Sequence, residues 1–271
     1  MNTRRIAILI DGSFFLKRLQ KLVPVEHCGS AQNVVRCLRD MCRRHVKRLT
    51  QCPDGHWLEH VYRIFFYDAH PYDGKAHHPI DNRLLDFSKS LVAQDRRELF
   101  ELLRRERKLA LRLGKVTREH DWLIDPALTK KLLRTRSVLA ALDTLDETSA
   151  LQDRLALTCE QWRELAALRT LWQSLESGSV RLGLKQKGVD MRIGIDIASL
   201  TLKRQADTLI LVAGDSDFVP AAKLARREGM EFILDPLWQK VNPDLFEHID
   251  GLQSVLKRPE SEPHKKQDDA A

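Results

Sequence analysis

Two short apolar runs of this chain end in carboxylates. Ile6 to Ile10 leads into Asp11-Gly12-Ser13, and Leu209 to Ala213 leads into Gly214-Asp215-Ser216-Asp217. If both runs are neighbouring strands of a parallel sheet, Asp11, Asp215 and Asp217 come to one edge, where open parallel sheets bind their ligands beyond the strand ends. A third acidic segment, Lys187-Gly188-Val189-Asp190 followed by Asp196, precedes the second run on a helical pattern and can join that edge. Asp190 and Asp196 lie about 600° apart in helical rotation, so one of them faces the cluster more directly unless Asp190 precedes the helix. Taken singly, each acid reads as a helix cap or a turn residue. Taken together they ask for a cation, because like charges packed within a few ångströms raise each other's pKa and are costly unless neutralised. Oxygen-only donors suit Mg²⁺ or Mn²⁺, which keep coordination positions for water and phosphate oxygens.

The elements that must position these acids are legible as apolar runs. Besides the two already named, Ile64 to Tyr67 and Phe232 to Leu234 read as strands buried on both faces, and Phe218 to Glu228 reads as a helix ending at Gly229. Strand, helix and strand in alternation predict an α/β fold of three layers around a mainly parallel central sheet. Leu109 to Val116 fits either a further strand or a helix ending at Gly114. From Pro126 to Gly178 the pattern turns helical, with Leu155, Trp162, Leu165, Leu168, Trp172 and Leu175 near three- and four-residue spacing. This segment reads as an inserted helical arm, packed on the sheet domain or serving as a protein-partner or homo-oligomer surface. Residues 137–178 carry three basic against seven acidic side chains, whereas residues 81–136 carry fifteen against nine. The expected organisation is therefore a sheet domain in two parts, 1–116 and 180–251, a helical insertion at 126–178, and a disordered tail at 257–271.

Composition narrows the functional classes. The 271 residues are 43% hydrophobic and 31% charged, and 45 Lys and Arg against 38 Asp and Glu give a net charge of +7. That balance favours a polyanionic partner. No apolar run reaches membrane-spanning length, and the first one stops at Asp11, so a cytoplasmic chain without a membrane partner is expected. Five cysteines, an odd number, argue for thiols over a disulfide framework. Cys28, Cys37, Cys42 and Cys52 interleave with histidines, yet none are spaced as zinc ligands. Val34, Leu38, Met41, Cys42, His45 and Leu49 trace one apolar helix face instead.

Four pieces of the sequence resemble the NYN domains, a branch of the PIN-like, FLAP nuclease-related fold. They are Ile8-Leu9-Ile10-Asp11-Gly12-Ser13, Tyr67-Asp68 with the His77-His78-Pro79-Ile80 loop, Lys187-Gly188-Val189-Asp190 with Asp196, and Val212-Ala213-Gly214-Asp215-Ser216-Asp217-Phe218-Val219-Pro220. The resemblance covers the sheet domain and leaves the helical arm unexplained. It implies a metal-dependent ribonuclease acting on RNA, in which Asp11, Asp190 or Asp196, and Asp215 bind Mg²⁺ or Mn²⁺ and Asp217 assists. Ser13, Lys187 and Ser216 would contact substrate, Lys187 gripping phosphate, with Lys185, Arg192, Lys203 and Arg204 also flanking the acids. Many relatives carry Asn three residues after the first Asp, where this chain has Phe14, a departure that bears on turnover more than on fold. Two other functions compete. A haloacid dehalogenase-like phosphatase also starts from a strand ending in Asp, but usually has a second Asp where this chain has Ser13. A non-catalytic RNA-binding or scaffold module could hold an ion at the same acids and recruit partners through the arm.

Overall fold

The structure is a computed structural model, and it describes residues 4–136 and 158–258. In chain order its elements are β1 (Ile6–Asp11), α1 (Gly12–Leu22), α2 (Val25–Cys28), α3 (Ala31–Thr50), β2 (Val61–His70), β3 (Lys75–His77), β4 (Leu84–Asp86), α4 (Leu91–Arg104) and β5 (Leu109–Ile124). There follow α5 (Pro126–Arg134), α6 (Cys159–Gln173), β6 (Val180–Lys187), α7 (Val189–Leu202), β7 (Thr208–Val212), α8 (Val219–Arg227), β8 (Glu231–Asp235), α9 (Pro243–Phe246) and β9 (Gly251–Leu252). The chain divides into two compact units, one of residues 1–73, 87–116 and 186–271, the other of residues 74–86 and 117–185. Among the described residues no helix is long and apolar enough to cross a membrane.

The first unit is an α/β structure of three layers. Its strands run in the order β5-β2-β1-β7-β8-β9, and every neighbouring pair is parallel. Alternate side chains of a strand leave opposite faces, so an unbroken apolar run serves a sheet covered on both sides. Ile6, Ile8 and Ile10 of β1 enter a core with Phe15 of α1, Leu38, Met41 and Cys42 of α3, and Leu99 and Phe100 of α4. Ala7 and Leu9 enter the opposite core, with Val189, Ile193 and Ile197 of α7 and Ala222 and Ala225 of α8. The apolar face expected on α3 is buried at Val34, Leu38, Met41, Cys42 and His45, with Leu49 at its margin.

Helix starts follow local chemistry. Ser30 and Ser90 accept hydrogen bonds from Asn33 N and Ala93 N at the heads of α3 and α4. The helix expected from Phe218 begins at Val219 after a single 3₁₀ turn, Ser216–Phe218, and Gly229 beyond its end has the left-handed φ of 80°. Of the two readings of residues 109–116, the strand is correct, and it continues to Ile124. Gly114 sits inside that strand because a Cβ there would lie 2.5 Å from the Lys187 carbonyl oxygen.

In the second unit β3 and β4 form an antiparallel hairpin with Ala76 opposite Leu85. His78 is buried there, its ring edge-on to Trp122 at 5.0 Å and its Nε2 donating to the Ser177 carbonyl at 3.1 Å. Within this unit β6 neighbours the far part of β5, and Asp125 N donates to Ser179 O at 3.0 Å. Of the expected helical arm, α5 and α6 are described, and residues 137–157, including Leu155, lie outside the described residues. Leu168 of α6 is buried, while Trp162 and Trp172 are exposed. Of the expected tail, Lys257 and Arg258 fall within the described residues and 259–271 outside them.

Gly12 marks the tightest point of the first unit near the strand ends. A Cβ there would stand 2.6 Å from both the Phe66 ring and the Tyr67 carbonyl oxygen. Gly12→Ala is expected to destabilise the chain by about 1–3 kcal/mol, as overpacking of a filled core does. Urea unfolding measures this, and an unchanged midpoint would mean that β1 and β2 part freely at this position.

Candidate active site

Parallel register delivers the acids to one edge. Ile10 of β1 lies opposite Val212 of β7, so Asp11 and the Gly214–Asp217 turn leave the sheet side by side. Asp11 is both the last residue of β1 and the N-cap of α1, and its Oδ1 accepts the Phe14 N–H at 3.1 Å. Asp215 caps the 3₁₀ turn in the same manner, its Oδ1 accepting from Asp217 N at 3.1 Å. Two of the acids are therefore caps as well, Asp11 and Asp215, whereas Asp217 is the N–H donor to Asp215 and not a cap of the helix that follows. An open cavity of about 630 Å³ lies between the two turns, lined by Asp11, Ser13, Lys17, Asp215, Ser216 and Lys240 among others. The ring of Phe14 packs against the backbone of Gly214, where a Cβ would come within 2.5 Å of the ring. Phe14 thus bridges the two acid-bearing turns at one wall of the cavity.

The carboxylates share one electrostatic field. The Asp11 carboxyl is pushed up to about 6, first by burial and then by the negative charges of Asp190 and Asp68, against the lowering effect of the Phe14 and Ser13 backbone amides. Asp190 is the second residue of α7, which starts directly after Gly188, whose φ of 77° a side chain would resist. Its carboxyl too is raised, by partial burial and then by Asp215 and Asp217. Asp190 therefore links the two strand-end turns electrically. Among the described residues no three carboxylate, imidazole or thiol side chains stand close enough together to hold an ion as they are placed.

Asp196 is engaged elsewhere. It lies on α7 beyond Asp190, where its Oδ2 accepts the Tyr67 hydroxyl at 2.8 Å and Arg112 Nε at 3.0 Å. Of the two acids on that helix, Asp190 is the one coupled to Asp11, Asp215 and Asp217. Among the expected substrate contacts, Ser13 and Ser216 line the cavity, and Lys187 is an exposed residue at the end of β6, two positions before α7. Lys185 pairs with Glu119 at 3.6 Å, and Arg192 and Lys203 are exposed on and after α7. The Arg204 carbonyl accepts from Arg5 Nη2 at 2.9 Å.

Sequence reasoning left out a partly buried polar chain that runs from the cavity wall to Asp68. Ser13 Oγ donates to Gln186 Oε1 at 2.9 Å, and Gln186 Nε2 donates to Asp68 Oδ1 at 3.1 Å. Asp68 is buried, accepts its neighbour Ala69 N at 2.8 Å and forms an ion pair with Arg96 of α4. Burial raises its carboxyl, while Arg96, Ala69 and Gln186 pull it down. The signal was present, since Ile64 to Tyr67 is also an apolar run that ends in Asp. Gln186 and Arg96 carry no comparable mark.

The raised Asp11 has a consequence for stability. Its folded value of about 6 exceeds the ordinary 3.8, so its favourable contribution is complete below about pH 4 and is lost as pH rises through 6. At neutral pH, without a cation, the ionised group costs the folded state up to about 3 kcal/mol. Asn keeps the cap without the charge. In chelator at neutral pH, Asp11→Asn is expected to unfold at higher denaturant concentration than the parent chain, the gap closing below about pH 4. Equal or lower stability of the variant at neutral pH would contradict the buried, crowded carboxylate.

Comparison with known proteins bears on the same segment. The family model of the NYN domain matches residues 150–247. The matched span includes β6, α7, β7, the Asp215 turn and β8, and it excludes β1 with Asp11. No curated protein and no solved structure matches the chain. The match points to nuclease-type chemistry, and it agrees with the motif resemblance over Asp190, Asp215 and Asp217. Residues 150–247 are thus similar to the NYN domain, within an α/β fold whose central sheet is mostly parallel.

Proposed function

We propose that this chain is a metal-dependent ribonuclease whose reacting edge is formed by Asp11, Asp190, Asp215 and Asp217. The observation that carries the reading is their electrostatic coupling across two neighbouring parallel strand ends, beside an open cavity lined by lysines. The donor set fits a hard divalent cation such as Mg²⁺ or Mn²⁺, since every member is a carboxylate and their mutual repulsion is what such a charge offsets. When bound, an ion of this kind supplies Lewis acidity toward a phosphoryl oxygen and a more acidic water.

The residues divide the remaining work. Asp11, held by the Phe14 amide, presents its carboxylate in one orientation, and the Asp217 amide does the same for Asp215. Burial and the neighbouring carboxylates raise Asp11, so its ionised form is the one a cation would stabilise most. Lys17 and Lys240 line the cavity and give a phosphodiester backbone cationic partners, with Lys187 close by in sequence to Asp190. Ser13, oriented by Gln186, keeps the floor of the cavity polar. No side-chain nucleophile is needed for hydrolysis by water.

Cleavage of labelled single-stranded and structured RNA by the full chain, with Mn²⁺, Mg²⁺ or chelator, tests the proposal. Asp11→Asn and Asp215→Asn are each expected to abolish divalent-dependent cleavage. Asp196→Asn is expected to retain most of it, because Asn can still accept the Tyr67 hydroxyl. Undiminished cleavage by both the Asp11 and Asp215 variants would overturn the mechanism, and loss in the Asp196 variant alone would move the site along α7.

A further inference from the structure

Beyond the carboxylate cavity, the turn after β8 presents an aromatic ring in an unusual way. Leu237 and Trp238 are consecutive non-glycine residues with φ of 47° and 63°, in the left-handed region that bulky side chains rarely adopt. The surroundings hold them there. Leu237 is fully buried, its N–H donates to Asp235 Oδ1 at 2.8 Å, and Arg18 of α1 donates to its carbonyl through both Nε, at 3.0 Å, and Nη2, at 2.5 Å. Trp238 N donates to Ser254 Oγ at 3.1 Å, and Ser254 Oγ donates to Asp235 Oδ1 at 2.8 Å. Asp235 is itself fully buried against His45 Nε2 at 2.8 Å. A buried polar network therefore stabilises a backbone that the sequence alone disfavours, and its product is a Trp side chain 44% open to solvent. Strain kept in this way is characteristic of sites that bind something.

The ring is also oriented and framed by charge. Trp238 Nε1 donates to the Leu256 carbonyl at 2.8 Å, and the Arg258 guanidinium lies 5.8 Å from the ring centroid. A second cavity of about 310 Å³ beside it is lined by Arg48, Trp238, Gln253 and Arg258. Gln239 lines both this cavity and the carboxylate cavity, so the two adjoin within the first unit. Lysines 17 and 240 at one end, Gln239 between, and an aromatic plane with two arginines at the other match the requirements of a single-stranded nucleic acid: cations along the backbone and a flat surface under a base.

We propose that Trp238, with Arg48 and Arg258, is a stacking platform for an unpaired nucleotide of a single strand whose neighbouring phosphodiester enters the carboxylate cavity. The proposal names the form of substrate for the ribonuclease reading and rests on that reading only for what happens in the cavity. A base in a duplex has no face to offer the ring, so the platform selects unpaired over paired RNA.

The test is a binding measurement in chelator, which is blind to cleavage. The probe is a short fluorescein-labelled oligouridylate, compared with the same strand annealed to its complement. Trp238→Ala in the full chain is expected to weaken single-strand binding by about tenfold or more, the usual loss of one base-stacking aromatic, and to leave duplex binding nearly unchanged. Trp238→Phe, which keeps an aromatic face, is expected to restore most of the affinity. Single-strand binding by Trp238→Ala equal to that of the parent chain, or an equal loss on duplex, would overturn the platform. Should Trp238→Ala fail to fold by circular dichroism, the exposed Arg48→Gln decides: a loss of single-strand binding larger than the loss on duplex supports the platform, and unchanged binding or an equal loss on duplex overturns it. Binding that follows these expectations in a protein that cuts no RNA would remove the nuclease reading and leave the platform standing.

Discussion

The parallel hydrogen bonding of β1 between β2 and β7 is the constraint on which the candidate site depends. It aligns Ile10 with Phe66 on one side and Val212 on the other, so three strand ends that each run into aspartate finish at one level of the sheet. Asp11, Asp68 and Asp215 are far apart in sequence and have no local reason to meet. Burial of both faces of these apolar strands repays the electrostatic cost of bringing them together. Small residues make the approach feasible: Gly12 lets α1 start directly under Phe66, and Gly214 leaves room for the Phe14 ring.

Around this edge the acids take different parts. Asp68 is neutralised from behind by Arg96 and tied through Gln186 to Ser13, so it serves as a fixed wall. Asp196 is satisfied by Tyr67 and Arg112 and ties α7 to β2 and β5. Asp11 and Asp190 carry raised carboxyls that feel one another and their neighbours. An incomplete balance of charge on one side of an otherwise basic molecule is the kind of local field that a cation and a polyanion can complete together.

The fold was largely legible because both signals that encode it are local. Short unbroken apolar runs such as Leu209 to Ala213, too short for most helices, suit strands covered on both faces, and Gly229 and Gly188 punctuate α8 and α7 with left-handed backbone. The length of β5 was not legible. Its far part, Thr117 to Ile124, alternates polar with apolar residues around Arg118, His120 and Trp122, and its pairing partner β6 is more than fifty residues away. Gly114 reads as a helix end in sequence and is a strand residue in space, because the carbonyl that crowds it belongs to Lys187.

For the site, residue type and position along the chain were enough to nominate Asp11, Asp190, Asp215 and Asp217, since an acid at a strand end or helix start is a feature of the local backbone. Separating Asp190 from Asp196 required knowing that a tyrosine hydroxyl and an arginine on two other strands reach the latter. The same holds for Trp238, an ordinary residue in sequence, whose left-handed backbone is held by Arg18, Asp235 and Ser254 from three separate segments. Sequence by itself determined which elements form and which carboxylates stand at their ends, because those depend on neighbours along the chain. Tertiary structure decided the role of each carboxylate, because its partners and its desolvation are set by groups that only folding brings near.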